Sequence, residues 1–206
     1  MIMKTIGIYK TGHIDQDVID KFVSEINGRM HHLLATDSLI ERMYDAVALV
    51  NPNLFGEDME NEEYRHHTYV NPHTLEVFDH PGEENAIILS DYIFLVVRSY
   101  KKAFGDDYWM YLLKADIINK IKYETWDYYM ITDLKYWTEV QFMSKNIDNS
   151  LIFIPSLTYI NEDPHIEKVE DNIYSVRLDA HDWSKNDTVL RWVVTMIEDG
   201  VKVEVK

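Results

Sequence analysis

The chain has 206 residues, 46% apolar and 13% aromatic, with 36 acidic against 20 basic side chains and a formal net charge of −16. That much apolar side chain excludes disorder despite the charge, and the acidity disfavours a general nucleic-acid binder, because phosphate affinity rests on clustered Lys and Arg. With no cysteine, disulfides, thiolate catalysis and zinc–thiolate sites are excluded, and a reducing cytoplasm suits the composition.

In chain order, the β-branched run 3–9 predicts a strand, and Val18, Ile19, Phe22, Val23 and Ile26 predict a helix over 16–27 with Asp15 as N-cap and Gly28 as C′ residue. A second strand is expected within 29–37 and a helix over 38–50, stopped by Asn51-Pro52. Residues 51–82 hold Pro52, Pro72 and Pro81 among acidic residues and predict an irregular or hairpin-like flap. A buried helix over 84–104, closed by Gly105, precedes a helix over 106–122. Strands are expected at 127–133, 150–157 and 172–179, with helices at 135–146 and 184–198. No repeat or Gly/Ser linker divides the chain, so one domain over 1–206 is expected. Strands alternating with helices predict an α/β fold with a mostly parallel sheet and ligands at the carboxyl ends of its strands. The first residues lack a basic start before a long apolar run, and no stretch reaches about 18 apolar residues, so a soluble, cytoplasmic protein with no membrane partner is expected.

Two stretches stand where such a fold holds its ligand. In "GIYKTGHID", Gly7 and Gly12 have the separation of a phosphate-binding loop, whose glycines let consecutive N–H groups wrap a phosphate at a helix N-terminus. His13 stands where that loop carries lysine, and Ile14 where it carries a hydroxyl for magnesium. Lys10 and Thr11 lie inside the loop, and Asp15 is placed to approach a metal through water. The bland alternative is a glycine turn leading into a helix. In "YYMITDLKYWTEVQF", Asp133 ends a strand, with Lys135 two residues and Glu139 six residues on. It reads either as a strand end before a solvated helix face or as a carboxylate facing magnesium, with Lys135 as compensating cation. The six arginines, Arg29, Arg42, Arg65, Arg98, Arg177 and Arg191, are candidate anion contacts in an acidic chain. The histidines have no His-x3-His or His-Glu-x2-His spacing, which argues against a transition-metal site. The aromatic residues from Tyr108 to Tyr129 are assigned mostly to the core by their period.

Taken in order, these stretches resemble the deoxynucleoside monophosphate (dNMP) kinases of tailed bacteriophages, a P-loop kinase family. The resemblance begins at "IGIYKTGHIDQDVIDKF", continues at "LLATDSLIERMYDAV", and is strongest from 98 to 143, through "RSYKKAFGDDYWMYLLKADIINKI" and "DYYMITDLKYWTE". It implies a P-loop kinase-like three-layer fold, ATP and magnesium as cofactors, a dNMP as substrate and the host cytoplasm as compartment. ATP phosphates would lie against Gly7, Lys10, Thr11, Gly12 and His13, with Asp15 toward the metal. Asp133, Lys135 and Arg98 would stand at the reaction centre, Arg42 and Arg65 on the substrate side, and Lys101, Lys102 and Arg65 in a closing flap. His13 in place of lysine, and Lys135 in place of the arginine of Asp-x-Arg, both remove positioned cations that phosphoryl transfer depends on. The alternatives are an inactive descendant that keeps nucleotide binding, and a host-protein inhibitor or DNA mimic acting through the acidic surface. A homodimer is compatible with the sequence.

Overall fold

The computed structural model describes residues 4–31, 34–123, 126–158 and 162–200. The chain divides into two compact units: Ser38–Leu112, and the segments on either side of it.

The unit built from both ends of the chain carries a six-stranded sheet in the order β2-β6-β1-β7-β9-β8. Its strands are β1 (Lys4–Tyr9), β2 (Leu34–Asp37), β6 (Tyr128–Leu134), β7 (Ser150–Leu157), β8 (His165–Glu170) and β9 (Ile173–Leu178). Five are parallel, and β8 lies antiparallel on the edge beside β9. The expected mixed α/β architecture with a mostly parallel, helix-flanked sheet is therefore present. Of the segment expected as the second strand, 34–37 is strand and 32–33 lies outside the described residues.

Period-two alternation splits the sheet between two helical layers. Ile6, Ile8, Met130, Phe153 and Val176 pack with Ile19, Phe22 and Ile26 of α1 (Gln16–Arg29) and with Val189, Leu190, Val193 and Ile197 of α8 (Asp187–Asp199). On the opposite face, Gly7 turns toward Met143 of α7 (Trp137–Asn146). α1 runs past Gly28 to Arg29, two residues beyond the expected stop. Arg29 explains the extension: it pairs with Glu25 one turn back and with Asp187 at the head of α8, which holds the last turn in place.

Arg191 also reaches Asp187, Nε to Oδ2 at 2.9 Å. The Arg29 hydrogen bond, with the charge of Arg191, holds the Asp187 carboxyl below the usual carboxylate value. A depressed folded-state pKa contributes stability above the unfolded value, near pH 4, that is lost as pH falls through the folded one. Asp187→Asn is therefore expected to lower the melting temperature at pH 7, and its difference from the wild type to shrink as pH falls below about 4 and the carboxyl protonates. A difference that persists in acid would show that the cluster acts through packing instead.

The unit Ser38–Leu112 has a core of its own, built from Tyr44, Val47, Leu54, Met59, Val70, Leu89, Tyr92 and Val96. Its helices are α2 (Leu39–Val50), α3 (Gly56–Glu60), α4 (Glu62–His67) and α5 (Leu89–Phe104), and it ends within α6 (Tyr108–Tyr123). Three two-residue strands, β3 (Tyr69–Val70), β4 (Val77–Phe78) and β5 (Ile87–Ile88), form a small antiparallel sheet. The expected flap at 51–82 is thus two short helices and a hairpin inside a longer unit. α5 begins at Leu89 rather than at 84, because Ile87 and Ile88 pair with β3. It ends as expected at Gly105, whose φ of +102° suits only glycine.

Candidate functional site

Within the sheet-bearing unit, β1 is central, and the chain leaves its carboxyl end for β2 on one side while β7 continues toward the other edge. This reversal is where open parallel sheets place their ligands, outside the carboxyl ends of the strands. The loop 10–15 and the end of β6 both lie there. The N–H of Lys10 donates to the carbonyl of Leu134 at 2.9 Å, which ties the two segments together.

Gly7 lies inside β1, two residues short of its end, and not in the loop. A Cβ there would stand 2.7 Å from the Met143 sulfur and 2.8 Å from Leu134 Cδ1, so close packing accounts for this glycine. A Cβ on Gly12 would meet nothing within 4 Å. Ile14, at the position of a phosphate-loop hydroxyl, is 5% exposed and anchors the loop in the core. The loop retains open donors: among the described residues no acceptor takes the N–H of Thr11, Gly12 or His13. α1 starts at Gln16, so His13 sits in the turn ahead of the helix. Asp15 occupies the N-cap position with extended backbone, and its side chain makes no cap bond.

Charges of both signs surround these donors. Lys10 Nζ is held by Gln16 Oε1 at 2.7 Å, and Gln16 Nε2 in turn donates to Asp20 at 2.8 Å. Asp15 and Asp17 are exposed at the head of α1. On the neighbouring strand the pairing slips: Gly7 faces Ile131 and Tyr9 faces Leu134, so Thr132 and Asp133 together oppose Ile8. Such a bulge re-aims a side chain, and bulges are over-represented beside active sites. Asp133 is half-buried within it, and Lys135 just beyond is exposed. Among the described residues no three His, Asp or Glu side chains converge to hold a metal ion. A magnesium ion here would have to arrive with phosphate oxygens as its main ligands.

Glu139, expected on a solvated helix face, is instead 7% exposed. Its Oε2 accepts the N–H groups of Lys135 at 2.9 Å and Tyr136 at 3.1 Å, so it caps α7. The aromatic group at this end escaped the sequence reading. Tyr9 and Trp137 meet edge to face, their ring centroids 5.9 Å apart, and Tyr136 is 58% exposed. The signal was available, because Tyr136 and Trp137 precede the inward-facing positions Val140 and Met143 of α7.

Arg42, Arg65 and Arg98 lie in the other unit, on α2, α4 and α5. Arg65 Nη1 donates to the carbonyls of Met59 and Glu60 and sits over the Tyr44 ring, which occupies it in joining α3 to α4. Arg98 is exposed on α5. A concavity of about 470 Å³ lined by Arg29, His31, Arg191 and Glu198 has both guanidiniums already paired with Asp187, and the backbone N–H of His31 donates to Glu198. No helix among the described residues is long and apolar enough to cross a membrane. No protein-family model matches the chain, and no curated protein matches it.

Proposed function

We infer that this protein is a nucleotide-binding relative of the phage dNMP kinases, with a P-loop kinase-like fold, whose site lies at the carboxyl ends of β1 and β6. The observation that carries this is the Lys10–Leu134 hydrogen bond, which joins a loop with three open N–H donors to the strand end bearing Asp133 and Lys135. Open consecutive N–H groups ahead of a helix favour a phosphate, and the two lysines offset the surrounding carboxylates. Magnesium carried by ATP would bring Asp133 and Asp15 into play as ligands, directly or through water. Phosphoryl transfer from ATP to a dNMP is the activity that follows from the resemblance. With His13 in place of a lysine, turnover falls well below that of an enzyme carrying the full set of cations.

Calorimetry with ATP–magnesium and each dNMP, alongside a coupled ATP-consumption assay, tests the reading. Micromolar binding with turnover is the expected result. Binding without turnover leaves an inactive kinase-like binder, and a folded protein that binds none of these ligands rejects the proposal. In that last case, the run of five carboxylates within 57–63 favours a protein partner recognised through an acidic surface.

A further inference from the structure

We propose that Tyr136 and Trp137 form the platform on which the base of the bound nucleotide stacks, between Lys10 and Lys135. This rests on the nucleotide-binding reading above and specifies a ligand that carries a base rather than a bare phosphate. α7 is held to the sheet by Val140, Phe142 and Met143, all buried. Neither Tyr136 nor Trp137 is needed in that row. Tyr136 keeps 58% of its surface exposed, next to the exposed Lys135. The half-buried Trp137 is held against Tyr9, at an interplanar angle of 64°, and Tyr9 is followed directly by Lys10.

Two tied loops therefore bring the exposed Tyr136, the Tyr9–Trp137 pair and two lysines to one end of the sheet. That combination suits a nucleoside phosphate: the base stacks while a lysine meets the phosphate. Stacking of a base on an aromatic side chain is sequence-tolerant and is worth about 1–3 kcal/mol by alanine substitution.

The test is calorimetry of the full chain and of Tyr136→Ala, Tyr136→Phe and Trp137→Leu, with ATP–magnesium as the base-bearing probe and inorganic pyrophosphate as the base-free one. Circular dichroism checks the fold of each variant. Tyr136→Ala and Trp137→Leu are expected to weaken ATP binding about 5- to 140-fold, with Tyr136→Phe within about twofold and pyrophosphate binding unchanged throughout. Unchanged ATP affinity in folded Tyr136→Ala overturns the platform alone, as does a parallel loss of pyrophosphate binding. Wild-type protein that binds no ATP overturns the platform, and one that binds neither ATP nor any dNMP overturns the reading it rests on as well.

Discussion

Gly7→Val is expected to destabilise the fold by about 3 kcal/mol or more, because overpacking a filled core costs about 1–3 kcal/mol even for small additions. The first added carbon already falls 2.7 Å from the Met143 sulfur and 2.8 Å from Leu134, and valine adds two more on a central strand. Gly7→Ala should cost about 1–3 kcal/mol, since both obstructing atoms are far ends of flexible side chains and move in part. Shortening Met143 in the same molecule, as Gly7→Ala with Met143→Ala, should recover part of that cost through the coupling of touching residues. Gly12→Ala should stay within about 0.5 kcal/mol of wild type, because its Cβ enters open space. Denaturant midpoints of these four variants, and of Met143→Ala alone to close the double-mutant cycle, measure this. If Gly7 instead served a phosphate, Gly7→Ala would leave stability intact and weaken nucleotide binding, the reverse of what is expected.

The two glycines show what a spacing rule can and cannot see. Their separation is that of a phosphate loop, yet Gly7 sits within a strand because α7 presses against it, a fact set by Met143, 136 residues away along the chain. The layered parallel sheet was legible because β-branched runs and amphipathic helices alternate, and each reports its own burial. The edge strand β8 was not: His165–Glu170 alternates poorly and its residues are mostly exposed, so only pairing with β9 defines it. The start of α5 was misplaced because Ile87 and Ile88 continue an apolar run that a helix would also want, and pairing with β3 decides otherwise. At the candidate site, Asp133 and Lys135 were legible from a strand end followed by charge. The bulge that sets Asp133 against Ile8 was not, since register arises only between strands. Arg65 was read as a substrate contact because a rare arginine in an acidic chain invites an anion; that its Nη1 also donates to two helix-end carbonyls is a tertiary fact no spacing announces.

Glu139 was hidden for a similar reason, since the N-cap position before it holds Tyr136 rather than the Ser, Thr, Asp or Asn that announces a capped helix. Its removal is expected to be the second costly change. Glu139→Ala strips the acceptor from the N–H groups of Lys135 and Tyr136 at a carboxylate only 7% exposed. Hydrogen bonds to a charged group contribute about 1.5–3 kcal/mol each, so a loss of about 3 kcal/mol is expected. Glu139→Gln keeps an oxygen acceptor and loses the charge that favours a helix N-terminus, so it should cost about 1 kcal/mol. The effect should also travel. Leu134, whose carbonyl holds the Lys10 N–H, immediately precedes Lys135, so freeing Lys135 loosens the bond that ties the β1 loop to β6. Amide hydrogen exchange should therefore speed up at Lys10 as well as at Lys135 and Tyr136 in Glu139→Ala, and revert largely in Glu139→Gln. Faster exchange confined to Lys135 and Tyr136 would show a helix cap and nothing more. Faster exchange at Lys10 would show that one buried carboxylate sets the spacing of the open N–H groups from Asp133, the geometry on which the proposed nucleotide binding at this end of the sheet depends.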